Sequence, residues 1–335
     1  MTDHDKRLLS ALRPAGVVLF RDNFDHDLPY AQWLSLHRQQ LHTVRQCIER
    51  DTLLVAIDHE GGQVQRTPAP ITHFAAPADW CQQAGAVGAA IGRELRSLGV
   101  NLNFAPLADV HSNPDNPVIG RRAFGSDSAT VVLAAGRFLD AMQGAGVLGC
   151  LKHFPGHGDT AVDSHHQLPV VDLPLAELRA RELQPFAELI DRDVQLVMTA
   201  HILFPQWDAE WPATLSRKIV DGYLRQKLGF DGVVVTDDIG MQAIADRFRQ
   251  PGTAARALTA GCDLIAICAH LADTNLALDL ARDLAASRRN GTLEEATLSA
   301  SKRRIDGLLA RAPDHAVEVL PADVFEAHRA VAPVV

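Results

Sequence analysis

Lys152-His153-Phe154-Pro155-Gly156-His157-Gly158-Asp159-Thr160-Ala161-Val162-Asp163-Ser164-His165-His166 packs one lysine, four histidines and two aspartates into fifteen residues. The segment before it, Gly146-Val147-Leu148-Gly149-Cys150-Leu151, is apolar and bounded by glycine, which predicts a buried strand. A polar, glycine-punctuated loop at the C-terminal end of a strand is where parallel α/β proteins carry their chemistry. Within the loop, Asp163 and His165 are two residues apart and point the same way in an extended chain. A carboxylate hydrogen-bonded to an imidazole fixes its tautomer and raises its pKa, giving a group that donates a proton and takes it back. A second element, Gly232-Val233-Val234-Val235-Thr236, ends in Asp237. A carboxylate delivered by such a run is rigidly placed and half desolvated, which suits a nucleophile. Helix N-capping is the plainer role for an aspartate after a strand, and Asp238 is available for it. Lys152, His153, Arg66 and Arg122 are donors and Asp58 is a two-oxygen acceptor, a mixture that a polyhydroxylated ligand requires. Gly61 and Gly62, just after Asp58, allow the backbone close to such a ligand.

The elements that must position these residues alternate between strand and helix. Strands are predicted at 16–20, 53–57, 101–105, 146–151, 196–200, 232–236 and 263–267, with helical segments between them. That order means a parallel sheet with crossover helices. Polar residues follow most strands, as on the rim of a single (β/α)8 TIM-type barrel, here with an irregular or missing first strand. A doubly wound open sheet is the rival, but no glycine-rich dinucleotide turn follows the first strand. Gly85, Gly88 and Gly92 sit among alanines in a helical stretch and predict close helix packing rather than a phosphate loop. The catalytic barrel is expected over 1–312 and a loose C-terminal tail over 313–335.

Composition removes several classes of function. The 335 residues are 47% hydrophobic and 22% charged, ordinary for a globular chain with a large core. A net charge of −9 with no basic stripe argues against a nucleic-acid partner. Five cysteines with no CxxC pair predict free thiols in a reducing compartment. The first residues, MTDHDKRLLSALR, contain no apolar signal region, and no run is long enough to span a membrane. A monomeric cytoplasmic protein that uses neither membrane nor cofactor is the expectation.

Three stretches together, Ile57-Asp58-His59-Glu60-Gly61-Gly62, the Lys152 to His165 segment, and Val235-Thr236-Asp237-Asp238, resemble the family 3 glycoside hydrolases, in particular their single-domain bacterial β-N-acetylglucosaminidases. The resemblance covers roughly residues 16–310. It implies a (β/α)8 barrel, no metal, and release of terminal β-linked GlcNAc with retention from peptidoglycan fragments (GlcNAc-1,6-anhydroMurNAc peptides) during cell-wall recycling. Asp237 matches the nucleophile, His165 the general acid/base and Asp163 its partner; Asp58, Arg66, Arg122, Lys152 and His153 match sugar-binding positions. Retaining enzymes usually pair two carboxylates; a histidine in place of one removes a negative charge from the water side, which leaves a phosphorylase as an alternative outcome. His59 stands where Gln is common, Gly240 where Ser is common, and relatives carry a further strand before Gly16. Spacing alone also admits a metal-dependent hydrolase built on His153, His157, Asp163 and His165.

Overall fold

The computed structural model describes residues 1–50, 52–164, 167–268, 274–314 and 316–332. Its sheet has six parallel strands paired in sequence order: β1 Gly16–Leu19, β2 Leu54–Ile57, β3 Leu102–Asn103, β4 Leu148–Phe154, β5 Leu196–Thr199 and β6 Val233–Thr236. Each is short and rich in apolar residues, as strands covered on both faces must be. Leu54, Ala56, Leu102, Cys150, Leu196, Met198, Val233 and Val235 fill the concave side of the curled sheet. Their alternating neighbours Val55, Ile57, Leu151, Val197 and Val234 face the helices.

The helical layer comprises α1 Asp3–Leu12, α2 Tyr30–Ile48, α3 Ala84–Ser97, α4 Ser128–Gly144, α5 Leu175–Ala180, α6 Gln184–Leu189, α7 Ala245–Phe248, α8 Thr253–Ala260, α9 Leu276–Arg289, α10 Glu295–Arg311 and α11 Ala322–Val331. A π-helical turn, Val220–Lys227, precedes β6. The α3 glycines do serve packing: a methyl group on Gly88 would stand 2.4 Å from the Phe138 carbonyl oxygen, so only glycine lets α3 lie this close to α4.

The closed eight-stranded barrel expected from the strand–helix alternation is not what forms. Among the described residues the sheet stops at six strands, a curled half-barrel. The segment predicted as a seventh strand, 263–267, contributes one parallel bridge, Val235 to Leu264. Between β1 and this segment lies an apolar cavity of about 300 Å3, bounded by Val17, Val18, Ala56, Leu264 and Ile267, with Leu280 of α9 closing it from outside. In front of β1 the chain is helical, and α1 packs against α9 across the gap rather than supplying a strand. Nor is the stretch 322–331 loose. Helix α11 seats Val324 and Phe325 in the core, Phe325 edge-on to Tyr30 at 5.6 Å, and His328 Nδ1 lies 2.6 Å from Glu94 Oε1 of α3.

Candidate active site

The C-terminal ends of β2, β3, β4, β5 and β6 converge on one rim. At the end of β2, Asp58 is half-buried and Glu60 is buried. Strand β4 reaches across to both: Lys152 Nζ lies 2.8 Å from Asp58 Oδ1 and 2.6 Å from Glu60 Oε1. The β4–β5 register shifts between Leu151 and Phe154, an irregularity that re-aims Lys152 and His153 toward the rim. Arg122, in the turn after β3, grips Glu60 with both arms, Nε to Oε2 and Nη2 to Oε1, each at 2.9 Å. Planar two-point pairing of this kind is the strong form of an ion pair. Burial pushes the Glu60 carboxyl up, but Arg122 and Lys152 outweigh it and hold it well below the usual carboxylate range. Burial likewise opposes the Lys152 charge, yet Asp58 and Glu60 raise its pKa to about 12. Lys152 is therefore a fixed ammonium 2% exposed, and Asp58 an acceptor it orients.

His153 is fixed by Asp109, which follows β3 and is fully buried. Asp109 Oδ2 accepts from His153 Nδ1 at 2.7 Å, and its two oxygens also accept the backbone N–H groups of His153 and His157. Burial would raise the Asp109 carboxyl; His153 and these hydrogen bonds hold it below its ordinary value. Asp109 thereby fixes the orientation of the His153 ring.

Asp237 ends β6, with its N–H on the Thr199 carbonyl at 3.2 Å. Burial opposes its charge, but His153, His201, the Asp238 N–H and Lys152 lower its pKa and keep it ionised. Among the described residues Asp238 caps no helix. It accepts the N–H groups of Gly240 and Cys268 and so braces the turn behind Asp237. His201 is buried between Thr214 Oγ1 (2.8 Å) and the Asp238 carbonyl (3.1 Å), which makes it a support of the same turn.

The loop after β4 is anchored at several points. His157 has Nδ1 2.9 Å from Thr160 Oγ1 and Nε2 3.1 Å from Ser164 Oγ. Burial, with His153 nearby, lowers its pKa to about 4, so it is a neutral bracket rather than a proton carrier. Asn116 donates to the carbonyls of His157 (2.8 Å) and Gly158 (3.0 Å). The Ser164 carbonyl accepts from Ala243 N–H at 3.2 Å, which ties the loop to the β6 side. Half-buried Asp163 immediately precedes this doubly held serine. His165 lies outside the described residues.

Of the sequence-predicted residues, Asp58, Lys152, Arg122, His153 and Asp237 come together. Arg66 lies with its guanidinium 5.6 Å over the Phe20 ring and near the buried His59 that follows Asp58; its buried Nε has no hydrogen-bond partner among the described residues. Among the described residues no three His, Cys, Asp or Glu side chains converge as a metal site would require. Glu60 and Asp109 are the residues that the sequence-level assignment of roles left out. Each follows a strand end, but only the structure shows that one clamps Lys152 and Arg122 and the other fixes His153.

A parallel sheet with acids and bases gathered at its C-terminal rim is the arrangement of a strand-end enzyme site, and the chain belongs to glycosyl hydrolase family 3. The family's N-terminal-domain model matches residues 1–308. Beta-hexosaminidase A of Pseudoalteromonas piscicida is 37% identical over 94% of this chain, which spans only 56% of that relative. The Beta-hexosaminidase of Bordetella avium strain 197N is 35% identical over 80% of the chain and 77% of the relative. Among solved structures, the family 3 beta-N-acetylglucosaminidase from Paenibacillus sp. str. FPU-7 superposes with a TM-score of 0.88 at 34% identity, covering 98% of this chain and 64% of that one. NagZ from Neisseria gonorrhoeae, solved with N-trifluoroacetyl-D-glucosamine, gives 0.76 at 29% identity over 99% and 94% of the two chains.

Proposed function

We propose that this protein is a retaining exo-β-N-acetylglucosaminidase that releases terminal GlcNAc from peptidoglycan fragments in the cytoplasm. The observation that carries the reading is the buried Asp58–Lys152–Glu60–Arg122 network set beside an ionised Asp237 on one strand-end rim. Rigid donors and acceptors suit sugar hydroxyls, and their low-dielectric setting strengthens each contact. The relatives named as hexosaminidases support the GlcNAc specificity, and the NagZ likeness supports a cell-wall fragment as substrate.

In the proposed reaction, Asp58, Lys152, His153 and Arg122 hold the sugar, and Asp237 attacks the anomeric carbon. His165, oriented by Asp163, protonates the departing oxygen. The glycosyl–Asp237 ester then forms, and His165 takes a proton from water as the ester is cleaved with a second inversion. The five cysteines are all free thiols, which supports a reducing compartment.

The test is release of p-nitrophenol from its β-GlcNAc glycoside beside the β-glucoside, each repeated in EDTA, with NMR of the first-formed anomer. Turnover of the GlcNAc substrate alone, unaffected by chelation and giving the β-anomer first, is expected. Asp237→Asn should lower turnover by at least about 10³-fold while the melting temperature moves by about 2 °C or less. Activity that vanishes in EDTA, or an active Asp237→Asn enzyme, would overturn the mechanism.

A further inference from the structure

Glu182 lies in the turn between α5 and α6, on no strand, yet it is only 1% exposed. Its Oε1 accepts from Ser112 Oγ at 2.8 Å and from Arg181 Nε at 2.7 Å. Its Oε2 is buried with no hydrogen-bond partner among the described residues. That oxygen faces the loop after β4: a methyl group on Gly156 would stand 3.1 Å from it and 2.8 Å from Glu182 Cβ. Arg181 turns its other arm to the same loop, with Nη2 2.8 Å from Asp159 Oδ1. The Arg181 carbonyl is itself held by Ser128 Oγ of α4 at 3.0 Å. An acid–arginine–acid chain thus runs from a rigid inter-helix turn to both ends of the Gly156 to Asp159 segment. Four residues further on is Asp163.

We propose that Glu182 is a positioning residue for proton transfer: through Arg181 it seats the segment that leads to Asp163, and its ionisation makes that seating pH-dependent. The inference rests on the reading of His165 as the acid/base. Arg181 carries one positive charge for two carboxylates. With Glu182 ionised, the guanidinium is pinned between Glu182 and Asp159 by charge-assisted bonds. With Glu182 neutral, the Nε bond weakens, and the arginine, 36% exposed, can leave with Asp159 toward solvent. The charged groups facing Glu182 are Arg181 on its own turn, Asp109 from the end of β3, and Asp159 across Arg181; Ser112 is its remaining polar contact. Burial pushes the carboxyl up to about 7, Ser112 and Arg181 pull against that rise, and Asp109 adds to it. The switch therefore falls near neutrality.

The experiment compares wild type, Glu182→Gln, Asp159→Asn and His165→Ala from pH 5 to 9. It measures kcat/KM on the β-linked GlcNAc disaccharide, whose leaving group needs protonation, and on the p-nitrophenyl glycoside, which needs it less. Glu182→Gln should stay at the low-activity level at every pH, losing about tenfold on the disaccharide at pH 8 and far less on the nitrophenyl substrate. Asp159→Asn breaks the same chain from its half-exposed end and should show the same substrate-dependent loss. Equal losses on both substrates at all pH values, or none, would overturn the proposal. His165→Ala separates the two levels. If it shows no difference between substrates, the acid/base reading has failed; if it does and Glu182→Gln does not, only the positioning role has failed.

Discussion

Glu60 illustrates how a buried charge can be both well made and fragile. It accepts Lys152 and both arms of Arg122 while only 1% of its side chain is exposed. The network as a whole gains little over an apolar replacement, but removing one member leaves the others charged and unsolvated. Glu60→Ala should therefore cost about 3–5 kcal/mol of stability, measured by urea unfolding, and should release Asp58 from its orientation. A loss near zero would mean that water already screens Lys152 and Arg122. The titrating groups set a sign for pH as well. Glu60, Asp109 and Asp237 have folded pKa values below their ordinary ones, so their contribution is present above the unfolded value and lost as pH falls through the folded one. His157, lowered to about 4, also loses stability on acidification, over the interval from its ordinary value of 6.5 down to 4. Glu182 runs the other way: its contribution is present below its ordinary 4.5 and is lost as pH rises through about 7. Unfolding free energies should consequently fall below about pH 4.5, where Glu182 no longer offsets His157 and the lowered carboxylates begin to lose their contribution, and Glu182→Gln should gain on wild type between pH 5 and pH 8. A gap independent of pH would show that Glu182 does not titrate in the folded protein. Aspartate and lysine at strand ends announced most of this rim in the sequence. Asp109 and Glu60 were visible at strand ends too, but their partners come from distant strands, and residue spacing does not report such pairings.

The elements that place these residues were legible where burial dominates and misread where long-range packing decides. All six sheet strands fall on segments that the sequence marks as strands, four of them (β1, β2, β5 and β6) as largely apolar runs, since a strand covered on both faces is mostly apolar. The helical stretch between β4 and β5 is broken into α5 and α6, and the break between them is what presents Arg181 and Glu182; Pro185 opens α6, where its missing N–H costs nothing. The residues from 313 read as a loose tail in the sequence, yet Val324, Phe325 and His328 recur on one face of α11 and find partners on α2 and α3. That seam makes the final helix part of the domain's stability rather than an appendage. Phe325→Ala should cost about 3–5 kcal/mol, as for other fully packed aromatic side chains, and leave kcat of the folded enzyme unchanged because α11 is remote from the rim. Thermal unfolding at an unaltered temperature would show that the helix is detached in solution.

At the level of the molecule, the alternation of strands and helices fixes a parallel sheet but not its closure. Closing a barrel requires the first strand to pair with the last, a contact between residues some 250 positions apart that no local pattern encodes. Here the two flanks, β1 and the 264–267 segment, remain apart with the apolar cavity between them. The site does not need that closure. Its donors, acceptors and nucleophile come from β2 to β6, which are mutually paired. The cavity is then a stability defect separable from activity, and its wall offers a direct check. Ala56 sits on the concave face of β2 between Val18 and Leu102 and is 3% exposed. Ala56→Val adds two carbons facing the cavity and a β-branched side chain that suits a strand. Burying them should contribute about 1–2 kcal/mol and raise the melting temperature by about 2–6 °C, with kcat/KM unchanged. A lowered melting temperature with unchanged activity would mean that Leu264 and Val18 already close over this space, and that the sheet's two flanks meet in solution.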